Sequence, residues 1–113
     1  MRVSIASLAQ AVSALKRAES LGCAVILESP PRLVEVQGSA WFLSLVRQAR
    51  RQVPDVPAQA LIDAGNAAAL ALDALSQGAE IVRVDAASPA RNKLKAIADG
   101  MGARLELKRK KTR

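Results

Sequence analysis

Apolar residues along this chain follow two alternating spacings, one typical of strands and one typical of helices. Five short apolar runs occur: RVSIA (2–6), CAVILE (23–28), AQALIDA (58–64), EIVRVD (80–85) and ARLEL (103–107). Short apolar runs with β-branched residues indicate strands, and an uninterrupted run such as the second indicates a strand buried on both faces. The pattern therefore predicts five strands.

Between these runs the apolar residues recur at the i, i+3, i+4, i+7 spacing of an amphipathic helix. Serine caps and glycine or proline stops mark the ends of such helices. Four helices are predicted: from the cap Ser7 to Gly22, from the cap Ser39 to the stop before Pro54, from about Asn66 to Gln77, and from Ser88-Pro89 to Met101.

Strands that alternate with helices favour a parallel sheet with right-handed crossovers. Each of the stretches LGCAVIL, QGAEIVRV and MGARLEL places a glycine at a helix end and resumes at once as a strand. We therefore predict one α/β domain over residues 1–107. It would be a three-layer α/β/α sandwich of about five mainly parallel strands and four helices, flavodoxin-like or Rossmann-like.

Aromatic residues make up only 2% of the chain, and the two that occur, Trp41 and Phe42, are adjacent in the second helix. We assign both to its inner face, as core residues. The alternative is that one of them anchors a homodimer, as exposed aromatic residues often do at interfaces.

The net charge of +7 is concentrated at the end of the chain. The run KRKKTR (108–113) holds five basic residues, which leaves 12 basic and 10 acidic residues in 1–107. We predict a basic, disordered tail. The alternative is a nucleic-acid contact through Lys108, Arg109, Lys110 and Lys111.

The chain has no histidine and a single cysteine, Cys23. Within one chain this excludes disulfides, histidine-based metal sites, and Ser-His-Asp or Cys-His nucleophiles. We predict no cofactor and no metal. Since no apolar run reaches the length of a signal sequence or a membrane span, a cytoplasmic protein without membrane contact is expected.

Polar residues follow the second, third and fourth strands at the points where these strands end. In open parallel sheets, ligands bind outside the carboxyl ends of the strands. Carboxylates there could hold a hydroxyl group or a metal, or they could cap helices and fasten turns, where negative charge is also favoured. The candidate ligand-binding residues are Glu28, Asp63, Asn66, Asp85, Ser88 and Arg91.

No glycine-rich phosphate-binding motif is present. The stretch LIDAGNAAALAL, with the strand and helix after it, is similar in rhythm to the second half of STAS domains, over at most residues 58–107. In that family an Asp-Ser-Ser-Gly turn opens the helix. Here Ala64 and Gly65 stand where the phosphorylated serines would fall, and the helix containing Trp41 departs from the family's pattern, so no function is carried over.

Three function classes remain open from the sequence. The first and favoured one is a non-catalytic module that binds a protein partner or small ligand at the strand ends, alone or as a homo-oligomer. The second is a metal- or carboxylate-dependent enzyme that uses Asp63 and Asp85. The third is a nucleic-acid accessory protein that acts through its basic tail.

Overall fold

The computed structural model describes residues 1–108. The strands are Arg2–Ser4 (β1), Val25–Glu28 (β2), Ala58–Gly65 (β3), Ile81–Asp85 (β4) and Arg104–Lys108 (β5). The helices are Leu8–Leu21 (α1), Leu33–Gln37 (α2), Ser39–Gln52 (α3), Ala68–Ser76 (α4) and Arg91–Gly100 (α5). The predicted α/β class is confirmed, with five parallel strands in one sheet that alternate with helices.

The strand order, which the sequence leaves open, is β1-β2-β3-β4-β5. Flavodoxin-like and Rossmann-like sheets instead reverse their order at a switch point, which puts helices on both faces. With right-handed crossovers, a sequential order puts successive helices on the same face. Accordingly, α1 contacts α3, α3 contacts α4, and α4 contacts α5.

One apolar core lies between these helices and the sheet. Alternate strand residues, such as Leu27, Ile62 and Val84, share this cluster with the buried residues of all five helices. Leu61 and Ile81 are also buried, but they lie outside the cluster because they point to the opposite face. We call this opposite face, on which the described residues place no helix, the helix-free face.

The sheet is strongly curved. Four strand spacings in a flat sheet would separate β1 from β5 by about 19 Å. Yet the side chain of Arg2 on β1 lies 2.7 Å from that of Glu106 on β5. The helix-free face is therefore concave, and this curvature accounts for the burial of Leu61 and Ile81 without a covering helix.

The first helix has the predicted ends. The Ser7 hydroxyl accepts a hydrogen bond from the Gln10 amide at 3.2 Å, and Gly22 ends α1 in the left-handed conformation. The second predicted cap is wrong. Gly38, with φ of +88°, precedes α3, and Ser39 is its first helical residue, with a buried hydroxyl that has no partner among the described residues.

Two further differences concern the region around α3. The short helix α2 was not predicted, because Pro30-Pro31 argues against a helix there and α2 begins only after Arg32. The assignment of both aromatic residues to the core is wrong for Trp41. Phe42 is fully buried, whereas Trp41 is 39% exposed.

The predicted tail begins one residue too early, since Lys108 is the last residue of β5. The rest of the tail, including Arg109, Lys110 and Lys111, lies outside the described residues. Among residues 1–108, no helix has both the length and the apolar character needed to span a membrane.

Candidate binding site on the helix-free face

Each of the five strands contributes at least one charged side chain to a connected group on the helix-free face. Strand alternation puts these side chains on the same face, and ion pairs link them across the sheet. We call this group the five-strand ion network; its members are Arg2, Glu28, Asp63, Arg83 and Glu106.

Arg83 lies at the centre of the network. Its Nη2 and Nε atoms donate to Asp63 Oδ2 at 3.0 and 3.3 Å, and its Nη1 donates to Glu28 Oε2 at 3.1 Å. Glu106 Oε1 lies 3.8 Å from the same Nη1. Burial by itself would lower the pKa of Arg83, but the hydrogen bonds and negative charges of Asp63 and Glu28 outweigh it and raise that pKa. The guanidinium therefore holds two carboxylates together.

Asp63 is nearly enclosed, at 3% exposed. While Oδ2 accepts from Arg83, Oδ1 accepts from the Gly65 amide at 2.9 Å. The Asp63 amide donates to the buried Ser29 hydroxyl, also at 2.9 Å. A bulge in β3 follows directly, since Asp63 pairs with Arg83 and Gly65 with the next residue, Val84. Both carboxylate oxygens are thus engaged, in the ion pair and in the turn.

The two edge strands are joined by the outermost pair of the network. Arg2 donates from Nη1 and Nη2 to the two carboxylate oxygens of Glu106, at 2.7 and 2.8 Å. The hydrogen bond from Arg2 lowers the pKa of Glu106, burial opposes this, and the positive charges of Arg2, Arg83 and Arg104 add to it. The same hydrogen bond raises the pKa of Arg2. This paired geometry connects residues at opposite ends of the chain.

Because the pKa of Glu106 is lowered in the folded state, the stability that this carboxylate contributes depends on pH. Its stabilisation is fully present above the ordinary value of 4.5 and is lost as the pH falls through the lower pKa of the folded state. We expect Glu106→Gln to reduce the free energy of unfolding by about 0.5–1 kcal/mol at neutral pH, as for other half-exposed pairs. This difference from the wild type should shrink below about pH 4.5.

Urea unfolding at a series of pH values between neutral and about pH 3 measures this difference. Arg2→Met serves as the matched variant, since it removes the same pair and should reduce the pH dependence contributed by Glu106. A cost of Glu106→Gln that stays constant across the series would contradict the pairing.

The structure brings together two of the six predicted site residues. Glu28 and Asp63 meet through Arg83. Asp85 ends β4, half-buried, and pairs in register with Lys108, whose amino group lies 4.0 Å from Asp63 Oδ2.

Of the other three predicted residues, Asn66 and Ser88 lie in turns before helices, and Arg91 is the first residue of α5. Asn66 is exposed and does not cap α4, because Ala67 precedes that helix without any side-chain cap. The buried Ser88 accepts from the Ala90 amide through its hydroxyl at 3.3 Å, and its carbonyl accepts from the Arg91 side chain at 3.4 Å. Ser88 and Arg91 therefore organise the turn before α5.

Sequence reasoning missed Arg83, Arg2 and Glu106. A signal for Arg83 was present, because a charged residue in the middle of the apolar strand EIVRVD needs an opposite charge nearby. No such signal existed for Arg2 and Glu106, since their contact depends on strand order and sheet curvature.

A comparison with models of known protein families found no match for this chain, nor did a comparison with curated proteins.

Proposed function

We propose that this protein is a non-catalytic module that binds a protein partner on the helix-free face, at the carboxyl ends of its strands. The supporting observation is the five-strand ion network. It supplies a concave face that carries both signs of charge, with its central side chains fixed by one another. A prearranged charged surface favours specific recognition, because complementary charges select and orient a partner.

The contacts of Asp63 and Glu28 argue against catalysis by these two carboxylates. A general base needs a free oxygen within reach of the proton it removes. Asp63 is enclosed and has both oxygens engaged, and Glu28 is held by Arg83. These two acids therefore build the face, and contact with a partner falls to more accessible neighbours.

The accessible neighbours lie at the ends of β4 and β5. Asp85 is half-buried and has no ion pair among residues 1–108, and the side chain of Lys108 is 51% exposed. They are register partners and so offer an acid and a base side by side at the carboxyl edge. We assign the partner contact to this pair.

Native mass spectrometry of the protein purified from its own host tests this proposal. We expect an added mass on the wild type that is lost in the double variant Asp85→Asn, Lys108→Ala. The matched control is Asp73→Asn, Lys93→Ala, which removes one exposed acid and one exposed base from α4 and α5 and should keep the added mass.

The size of the added mass separates a protein partner from a small ligand. Loss of the added mass in both double variants, or its retention in both, would count against the assigned edge. A wild-type protein that carries no added mass would count against the proposed function itself.

The enzyme hypothesis predicts a different result. If Asp63 and Asp85 bound a divalent cation, millimolar Mg²⁺ would raise the Tm of the wild type and not that of Asp85→Asn. Under the proposed function we expect the same Tm with and without Mg²⁺ for both proteins.

A further inference from the structure

A groove runs along the outer seam between α1 and α3, on the side of the molecule away from the ion network. One part is a cavity of about 700 Å³ whose lining includes Leu8, Val12 and Lys16. A second part, of about 310 Å³, is lined by Leu8, Trp41 and Leu45 among others. Leu8 lines both parts, so they adjoin at this residue, and we call the two together the α1/α3 groove.

The groove exposes apolar side chains. Leu8 and Val12 are half-buried, and Trp41 at 39% exposed is the most accessible aromatic side chain of the chain. Leu8 and Val12 follow the i, i+4 spacing on α1, so they form a partly exposed stripe along that helix, and Trp41 adds to it from α3. An exposed apolar stripe of this kind is typical of a surface that receives another helix.

The two helices that form the groove expose several basic side chains. Lys16 lines the groove, and Arg17, Arg47 and Arg51 are exposed on the same two helices. Within residues 1–108 none of these four has an ion pair, and Glu19 is the only acidic residue of α1 and α3. The groove therefore combines a partly exposed apolar stripe with Lys16, and it lies on two helices whose exposed charges are mainly basic.

We propose that the α1/α3 groove binds an acidic amphipathic helix of a partner protein. From Leu8 to Lys16 the groove extends about 12 Å along α1, which matches roughly two turns of a partner helix. Apolar residues at i, i+3, i+4 and i+7 of that helix would cover the stripe, and its acidic residues would meet Lys16 and Arg51. Such helix-in-groove binding joins burial of apolar surface to charge complementarity.

Two other occupants fit the groove less well. Nucleic acid would find the positive charge and one aromatic ring, Trp41, but the other apolar lining residues, such as Leu8 and Val12, are aliphatic and offer successive bases no further stacking surface. A second copy that presented its own α1 and α3 would bring Lys16, Arg47 and Arg51 against the same residues, and like charges repel.

Fluorescence emission of Trp41 measures binding to the groove, because Trp41 is the only tryptophan and the chain has no tyrosine. The probe is a synthetic tryptophan-free peptide with leucine at i, i+3, i+4 and i+7 and mainly glutamate elsewhere. We expect a saturable blue shift of Trp41 emission as the peptide covers the ring. A scrambled peptide of the same composition should give none.

Charge reversal on these two helices gives the matched variants. We expect Lys16→Glu combined with Arg51→Glu to weaken peptide binding roughly tenfold or more. Lys93→Glu combined with Lys95→Glu, which reverses two exposed charges on α5, should leave it unchanged. Because these side chains are on the surface, the variants should fold, and circular dichroism verifies that they do.

Several results would overturn the proposal. They are an unshifted Trp41 spectrum at saturating peptide, equal binding of a peptide with lysine in place of glutamate, and equal binding by the Lys16 and Arg51 variant. A blue shift produced by duplex RNA would indicate nucleic acid instead. A concentration-dependent shift without peptide, together with a dimer mass, would indicate a second copy.

Discussion

Replacement of Arg83 by methionine is expected to lower the free energy of unfolding by about 3–5 kcal/mol, the cost of removing one partner from a buried ion pair. The reason lies with the carboxylates that remain. Asp63 is 3% exposed and Glu28 lies beside it, so both would stay partly desolvated without the guanidinium that holds them. Urea unfolding measures the loss as a lower midpoint.

Two further variants separate this explanation from a general effect of losing an arginine. Arg104→Met removes an exposed arginine from the same face and should cost less than about 1 kcal/mol. Adding Asp63→Asn to Arg83→Met should restore part of the stability, because the unpaired charge is then absent. An Arg83→Met protein as stable as Arg104→Met would show that the network does not hold the face together.

The second large effect is expected at Phe42. This side chain is fully buried, so Phe42→Ala should lower the free energy of unfolding by about 3–5 kcal/mol through lost burial and the cavity left behind. Its sequence neighbour provides the control. Trp41→Ala should cost less, about 1 kcal/mol, because that ring is already in partial contact with water.

Denaturant unfolding of both variants tests the contrast between these adjacent positions. Equal losses for Trp41→Ala and Phe42→Ala would mean that Trp41 is a core residue, and this would remove the exposed ring from the α1/α3 groove. A small loss at Phe42 would mean that the core between α3 and the sheet is not packed as described.

The strands were predictable because each is marked by its own residues. Short apolar runs identified Val25–Glu28 and Ala58–Gly65 to within two residues. The first residues of helices were harder to predict. Ser7 caps α1 as expected, whereas Ser39 is the first helical residue of α3 and the cap position before it is Gly38. A capping preference identifies a region of the chain, and tertiary packing selects the residue.

The candidate site was predictable only in part, for a similar reason. The end of a strand is a local feature, so Glu28 and Asp63 could be selected from the sequence. Their partner Arg83 lies inside a strand, and Arg2 and Glu106 are 104 residues apart. These contacts depend on the order of the strands and on the curvature of the sheet, which no local pattern encodes.

The interpretation of Asp63 differs most between the sequence and the structure. Its position at a strand end made it a candidate for acid–base or metal chemistry. In the structure its carboxylate links two elements, because one oxygen accepts a hydrogen bond from the Gly65 amide and the other accepts from Arg83. Recognition would then depend on the more accessible Asp85 and Lys108, and loss of Asp63 would affect binding mainly through loss of the face.

The sequential strand order also bears on how the chain folds. Each strand pairs with its predecessor in the sequence, so ordered structure can propagate unit by unit with short loop closures, as in repeat proteins. The Arg2–Glu106 pair is the exception, since it joins the first strand to the last and can form only when all five are in place. We therefore expect its removal to accelerate unfolding and to leave the refolding rate nearly unchanged, as for any contact made after the transition state.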